Sequence, residues 1–394
     1  MSNTLGVYNP IFYAQEALAQ LEEVMGMANR VYRTFEQERN SFKRGETISV
    51  RRPASFTAQD APSSSQNVDT ETVTITLAHW REVKFELTDR ELSFTQERII
   101  EDHIRPAAVA LANDIDQKLA ALFLDIPWVH NVSSAAAVSD ITATRQILFD
   151  NKVPLSDPSK MHLMVGGAIE NEFLQLAAFS QQQGAGDQGI NTQATGNLGP
   201  KYGFNVFANQ NVQNYTAGAI TNGSSDAAID GGGSPVAKGT TTIEIDSATG
   251  LTGTVAVGDI VVFDGIDQQY TVLSAATASS NAVTFTIGVP GRGPGLLTAI
   301  PDNTGATFLQ QSSTAGVGLA FHRNAFALVM APLSELGDGK GADISVIQDP
   351  ITNLSIRARM YYDGDNSTVK VALDVLYGVK TIDANMAARF NDNS

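Results

Sequence analysis

Residues able to do chemistry are sparse in this chain, and their spacing argues against it. The five histidines (His79, His103, His130, His162 and His322) are scattered, with no HExxH and no pair at helical spacing that could share a metal. Gly184-Ala-Gly-Asp-Gln-Gly189 matches the bare GxGxxG string. A dinucleotide site needs a strand before that string and a helix opening within it. Here glutamines precede it and a polar stretch follows. Gly337-Asp-Gly-Lys340 lacks the upstream glycine and the Ser or Thr of a phosphate loop. Asp363, Asp365 and Ser367 resemble the start of a calcium loop, but Thr368 stands where that loop needs Gly and Asp374 where it needs Glu. A hairpin turn explains them better. A Ser–His–Asp triad is a spatial arrangement that one sequence does not reveal, yet nothing resembles a nucleophile elbow. Acidic pairs are too numerous to single out an acid–base couple. No catalytic, cofactor-binding or metal-ligating residue is nominated, and the chain reads as non-enzymatic.

Composition points the same way. The 394 residues hold no Cys, which removes disulfides, thiolate metal sites and Cys nucleophiles together and fits a reducing cytosol. Lys plus Arg number 26 against 42 Asp plus Glu, a net charge of −16. Such a balance disfavours a protein that grips nucleic acid, because phosphate binding is driven by neutralising Lys and Arg. No run of about 18 apolar residues occurs, so no membrane-spanning helix is expected. Met1 to Gln15 shows no basic segment ahead of an apolar one, so no secretory signal is expected. Charged residues are only 17% of the chain. Much of the surface must then be neutral and polar, or covered by neighbours.

The elements that would position functional groups follow from periodicity. Residues 10–29 read as a helix opened by Pro10, with Ile11, Ala14, Leu18, Leu21 and Met25 on one face. That face could pack on its own subunit or reach a neighbour. Thr47–Arg52 reads as a strand. Residues 53–70, rich in Ser, Ala, Gln and Pro, read as a mobile loop tip. Val73, Ile75, Leu77, Val83, Phe85 and Leu87 then alternate with polar residues, the period of a half-buried strand of unusual length. Together these predict a long projecting hairpin that must lie on something, since a hairpin alone is marginal in water. Ser93-Phe-Thr-Gln96 is a capping-box pattern opening a helix to about Leu124, with Pro106 either kinking it or marking its true start.

Further on, a helix over 139–151 is expected with Ser139 as its cap, then a buried strand Met161–Val165, a helix Ala168–Ala178, and a polar loop over 181–200. Tyr202–Ala208 reads as a strand. Composition shifts at residue 213. From 213 to 311 there are two basic residues, Lys238 and Arg292, and 15 of the chain's 33 glycines. Short runs such as Asp259–Phe263 and Val283–Ile287 between glycine-rich turns argue for a small β-barrel or sandwich inserted into the main fold. After Val317–Met330, a buried strand or short helix, the chain ends on a hairpin. Leu354–Tyr362 and Val369–Tyr377 alternate on either side of the Asp363-Gly364 turn signal.

This order of parts resembles the major capsid protein of tailed bacteriophages, the Hong Kong-97 fold. Glu71-Thr-Val-Thr-Ile-Thr-Leu and Phe85-Glu-Leu-Thr-Asp-Arg-Glu-Leu92 are similar to the end of that family's extended loop. Tyr202–Val212 and Gly318–Phe326 resemble segments recurring in phage coat proteins. Val257-Gly-Asp-Ile-Val-Val-Phe-Asp-Gly-Ile266 resembles the inserted domain of the short-tailed Salmonella phage coat protein. The resemblance implies an α+β capsid fold: N-terminal arm 1–45, extended loop 46–92, a peripheral domain from 93–135 with 360–394 and its spine helix, an axial domain from 136–212 with 312–359, and an inserted β-domain over 213–311. It implies pentamers and hexamers of an icosahedral head enclosing double-stranded DNA without sequence-specific binding. Scaffolding protein, portal and a cement protein would be partners. Assembly would occur in the host cytoplasm, and the mature location would be the virion, with no membrane and no cofactor. Two other readings remain: an encapsulin-like nanocompartment shell, and a β-rich carbohydrate-binding protein or hydrolase with 213–311 as its binding module.

Overall fold

The computed structural model describes residues 10–33, 47–51, 60–61, 72–88, 103–132, 135–181, 183, 186–220, 227–248, 250–293, 295–309, 315–334, 342–349 and 354–391. In chain order come helix α1 (Pro10–Val24), strands β1 (Thr47–Arg51), β2 (Thr72–Thr76) and β3 (His79–Thr88), helix α2 (Arg105–Ala120), β4 (Val129–Asn131), α3 (Val138–Asp150) and β5 (Met161–Val165). Then follow α4 (Gly167–Gln175), α5 (Ala177–Ser180), α6 (Asp187–Thr195), β6 (Gly199–Lys201), β7 (Phe204–Ala208) and β8 (Gln213–Tyr215). Strands β9 (Ala228–Asp230), β10 (Thr242–Asp246), β11 (Thr254–Val255), β12 (Ile260–Phe263), β13 (Tyr270–Val272), β14 (Ala276–Thr277), β15 (Ala282–Gly288) and β16 (Ala306–Leu309) fill the middle. The chain closes with β17 (Ala315–His322), β18 (Phe326–Met330), β19 (Ala342–Gln348), β20 (Ser355–Asp363), β21 (Thr368–Thr381) and β22 (Ala387–Asn391). These form two compact units, Met1–Leu119 with Ala327–Lys380 and Ala120–Phe326 with Thr381–Ser394.

The first unit is built on the C-terminal hairpin. Strands β20 and β21 pair antiparallel from Arg357↔Asp374 to Asp363↔Thr368, joined by a four-residue turn over 364–367 in which Ser367 takes φ 50°, where the Asp-Gly signal suggests a two-residue turn. β19 extends the sheet beyond β20, and β3 pairs along β21 from Thr88↔Thr368 to His79↔Tyr377. One face of this sheet carries Val371, Leu373, Val375 and Tyr377, all buried. The other carries Trp80, Glu82, Lys84 and Glu86, all exposed. The alternating run at 73–87 is therefore two strands, broken at Leu77-Ala78. β2 pairs with β1, from Thr47↔Thr76 to Arg51↔Thr72, and only β3 joins the large sheet.

Helix α1 packs on β19 and β20 of its own unit. Of the expected face, Ala14, Leu21 and Met25 are buried, while Ile11 is 48% exposed and Leu18 only partly covered; Tyr13 and Ala17 take their places in the stripe. Ala14 and Ala17 let the helix approach the strands closely, with Tyr13 and Leu21 packed beside them. Replacing Ala17, fully buried, with Leu should cost about 1–3 kcal/mol by overpacking, read as a lowered denaturation midpoint. Ile11→Ala should leave that midpoint nearly unchanged. Beyond the helix, the Asp116 carboxylate of α2 accepts the backbone N–H groups of Gly26 (2.7 Å), Met27 (3.2 Å) and Ala28 (2.9 Å) and so fixes the exit turn. Helix α2 runs Arg105–Ala120 with Pro106 at its second position, and His103 and Ile104 just before it are π-helical, so the described helical path does not begin at the proline. The Ser93–Gln96 capping pattern lies outside the described residues.

In the second unit a sheet of order β4-β22-β17-β5-β7-β6 is flanked by α3 to α6, with β8 also pairing β17. Its core includes Phe173, Phe179, Phe204 and Phe390, all at most 1% exposed. Two expectations fail here. Helix α3 is capped at Ala137, whose N–H donates to the Asp140 carboxylate at 2.8 Å, because a carboxylate in the first turn outcompetes the Ser139 hydroxyl. The supposed loop 181–200 contains helix α6, which ends on Gly196 at φ 72°, a left-handed stop that glycine adopts without strain.

Strands β8 and β17 face each other at Tyr215↔Ala315, so the two ends of the intervening block start side by side. Within it, six strands run in the order β16-β12-β13-β15-β10-β9. The edge strand β9 is bonded in turn to the segment leading into β16: Ile229 N–H donates to Thr304 O, Asn303 N–H to Ile229 O and Ala306 N–H to Ala227 O.

Candidate functional site

None of the sequence's chemical candidates assembles into a reactive constellation among the described residues. His79 stacks near Tyr377 (5.1 Å between centroids), and burial first, then Lys118 and Arg81, lowers its pKa. His103 lies by Phe85 and His162 by Phe321, both at 5.5 Å. His130 Nε2 meets Asp140 at 2.9 Å. His322 Nδ1 accepts the Asn324 N–H, and its pKa is lowered, chiefly by burial. No group of three His, Asp or Glu residues able to hold a metal occurs among the described residues. Gly186 precedes α6, but residue 183 just ahead of the glycine string is helical and no strand leads into the string among the described residues. Gly337–Lys340 lies outside the described residues.

The Asp363 turn is occupied by its own partners. The carboxylate accepts from Lys370 Nζ (2.6 Å), Asn366 Nδ2 (3.0 Å) and the Asp365 N–H (3.2 Å). The Lys370 and Asn366 hydrogen bonds hold its pKa down to about 2, against 3.8 ordinarily. A lowered acid contributes stability above its unfolded pKa and loses it as pH falls through the folded value. The turn should thus stay closed through pH 4 and open toward pH 2. A carboxyl chemical-shift titration centred near 4 would contradict this.

What the structure does assemble is load-carrying. In the first unit Asp374, fully buried, accepts from Arg357 Nε (3.1 Å), Trp80 Nε1 (3.1 Å) and Arg359 (3.3 Å), and Arg359 also reaches Glu82 at 3.0 Å. This network ties β3, β20 and β21 across the charged face. Trp80 donates that bond while 59% exposed, and Tyr362 is 56% exposed. The β1–β2 ribbon buries Ile48, Val50 and Ile75. At its base, Gly378 of β21 lets Thr76 O come so close that a Cβ there would sit 2.3 Å from it. In the second unit Arg389 is 1% exposed and donates to Ile126 O (2.7 Å), Gly258 O (2.7 Å) and Leu124 O (3.3 Å). The rings of Phe123 and Tyr215 flank it at 5.5 and 5.7 Å. Burial lowers its pKa to about 10, so it remains charged at neutral pH. Tyr215 donates to Asp259 at 2.7 Å, and its own pKa is raised by burial and that bond. Sequence inspection meets Asp374 only as a misplaced calcium-loop position and passes over Asp116 and Arg389, since none of the three carries a sign of its partners.

No protein-family profile matches the chain, and no curated protein matches it. Solved structures similar to it include one described as Mycobacterium phage Che8, at 13% identity over 93% of this chain and 90% of that one, TM-score 0.49. Another is the capsid structure of the cyanophage P-SCSP1u, at 10% identity over 90% and 85%, TM-score 0.43. A third is a virus-like particle from Pyrococcus furiosus, at 9% identity over 96% and 99%, TM-score 0.40.

Proposed function

We propose that this chain is a capsid subunit, many copies of which close as pentamers and hexamers into an icosahedral head around double-stranded DNA. The observation that carries the reading is the β1–β2 ribbon. Among the described residues its two strands pair only with each other, and residues 52–71 lie beyond its last pair, Arg51↔Thr72. Two-stranded ribbons are marginal in water, and ring-closing heterologous contacts are served by arms that lie on the next copy. The net charge of −16 suits a wall that encloses DNA without clutching it. In this reading residues 46–92 are the extended loop, α2 is the spine helix of a peripheral domain made of 93–135 with 360–394, and β5, β7 and β17 belong to an axial domain made of 136–212 with 312–359. The partners would be scaffolding protein, portal and a cement protein, the location the virion, and the role structural rather than catalytic. Helix α1, packed on its own unit, is not an arm in this account.

Limited proteolysis tests the loop directly. Unassembled subunits should be cut first within 53–70, and assembled particles should resist at the same site by at least about tenfold, the factor that roughly 1.4 kcal/mol of docking supplies. Equal cutting in both states would count against a loop that docks on a neighbour. Shells held by packing and charge pairs should also dissolve in denaturant to single chains on a gel. A ladder of linked species would overturn that.

The block between β8 and β17 supports the reading of an inserted β-barrel domain. The bonds from β9 to residues 303–306 join the two ends of its sheet, and Ile245, Val261, Tyr270 and Ile287 inside it are fully buried. Residues 216–314 expressed alone should give dispersed amide protons and a cooperative melt. A collapsed spectrum would remove the inserted domain from this account.

A further inference from the structure

We infer that residues 381–391 are a two-sided latch: the strand closes the sheet of the second unit, while its side chains hold the inserted block in one orientation. The sheet side is backbone. β22 lies between β4 and β17, from Arg389↔Val129 to Asn391↔Asn131 on one edge and from Phe321↔Ala387 to Val317↔Asn391 on the other. The other side is a polar seam. Arg292 of the block meets Asp383 in a two-pronged pair, Nε to Oδ1 at 2.9 Å and Nη2 to Oδ2 at 3.1 Å. Asn385 donates to Gln268 at 3.0 Å and accepts from Trp128 of the sheet side at 2.9 Å. The Ala384 N–H reaches Pro290 O at 3.1 Å, and Arg389 reaches Gly258 O at 2.7 Å.

Two glycines of the block are shaped for this contact. Gly291, at φ 83°, would place a Cβ 2.0 Å from Ile382 O, and Gly258, at φ 95°, would place one 2.5 Å from the Leu124 side chain. A side chain at either position would hold the surfaces apart, besides straining the backbone. The block's core is built from its own strands. Ile243, Ile245, Val261, Phe263, Phe285 and Ile287 are at most 2% exposed, and they come from strands paired with each other. Apolar burial therefore holds the block folded, while directional charge-assisted bonds hold it docked. The two can separate, because a polar seam regains water's hydrogen bonds when it opens and an apolar core does not. The latch follows the block in the sequence, so the block is able to fold before the latch arrives and dock only after β22 has entered the sheet.

The test uses the full chain with Asp383→Asn and, from the opposite side of the same pair, Arg292→Met, each followed by hydrogen exchange. Amides of residues 289–293 and 381–386 should exchange about ten- to a hundredfold faster, as expected for loss of a charge-assisted pair. Amides of 242–246 and 282–287 should keep their wild-type rates. Arg292 is 30% exposed at its side chain, so its variant should fold even if Asp383→Asn does not. Loss of protection in the block's core in step with the seam, or unchanged exchange at the seam in both variants, would overturn the latch.

Discussion

Asp374→Ala should destabilise the first unit by about 3–5 kcal/mol, the usual cost of removing one partner from a buried ion pair. The size follows from what remains. Arg357 is 8% exposed, donates also to Ser334 O (2.9 Å) and lies over the Trp80 ring, so its guanidinium would stay in the interior without Asp374's counter-charge. Arg359 would keep Glu82, which is partly solvated, and so loses less. Trp80 Nε1 would lose its acceptor but sits near water. A second variant separates the charge from the packing. Asp374→Leu combined with Arg357→Met removes both charges and should recover most of the loss, since hydrophobic replacement of a buried pair is often neutral or better. Denaturant unfolding of the isolated subunit reads both. If the single substitution costs less than about 1 kcal/mol, as a surface pair would, the network is not holding β3 to the hairpin.

Arg389→Met should cost the second unit about 2–4 kcal/mol. Two effects oppose each other. Removing the guanidinium relieves its desolvation, which is large enough to lower its pKa to about 10. Against that, Ile126 O and Gly258 O lose their donors inside the unit, at about 1–3 kcal/mol for each buried acceptor left unsatisfied. Leu124 O is spared, because the Thr271 hydroxyl also donates to it at 2.8 Å. The flanking Phe123 and Tyr215 rings lose a cation held over their faces. Unsatisfied carbonyls outweigh relieved desolvation, since no water-accessible route replaces the donors at a residue 1% exposed. Arg389→Lys should recover little, because one ammonium cannot span the three carbonyls. A calorimetric melt unchanged in Arg389→Met would show that burial of the charge and its bonds cancel.

The parts of the fold that could be read in advance are those where period and turn agree. The C-terminal hairpin is one: alternation on both sides of Asp363-Gly364 marks both strands, while the four-residue turn over 364–367 sets the register that places Arg357 opposite Asp374. Counting outward from a two-residue Asp-Gly turn would have set Arg357 opposite Lys370, so the ion pair was not within reach of the turn signal. The strands at 242–246, 260–263, 270–272 and 282–288 likewise match their apolar runs. Helix α6 was not legible, since Gln, Gly and Thr favour neither helix nor strand and packing decided the matter. The face of α1 is legible at Ala14, Leu21 and Met25 but not at Tyr13 and Ala17, in whose place the spacing points to Ile11 and Leu18. The role of Arg389 had no local signal at all. Its acceptors Leu124, Ile126 and Gly258 are brought to it by elements far away in the chain. The break at Leu77-Ala78 also escaped periodicity, because both halves of the run keep the same odd-numbered apolar phase while pairing with different strands.

The central claim is that the subunit builds a closed shell, and one image set tests it most directly. The full chain, expressed with and without a scaffolding protein, should yield by negative-stain electron microscopy closed particles of uniform diameter, together with rings of five or six subunits. Dispersed monomers in every condition, including high protein concentration and crowding agents, would contradict it.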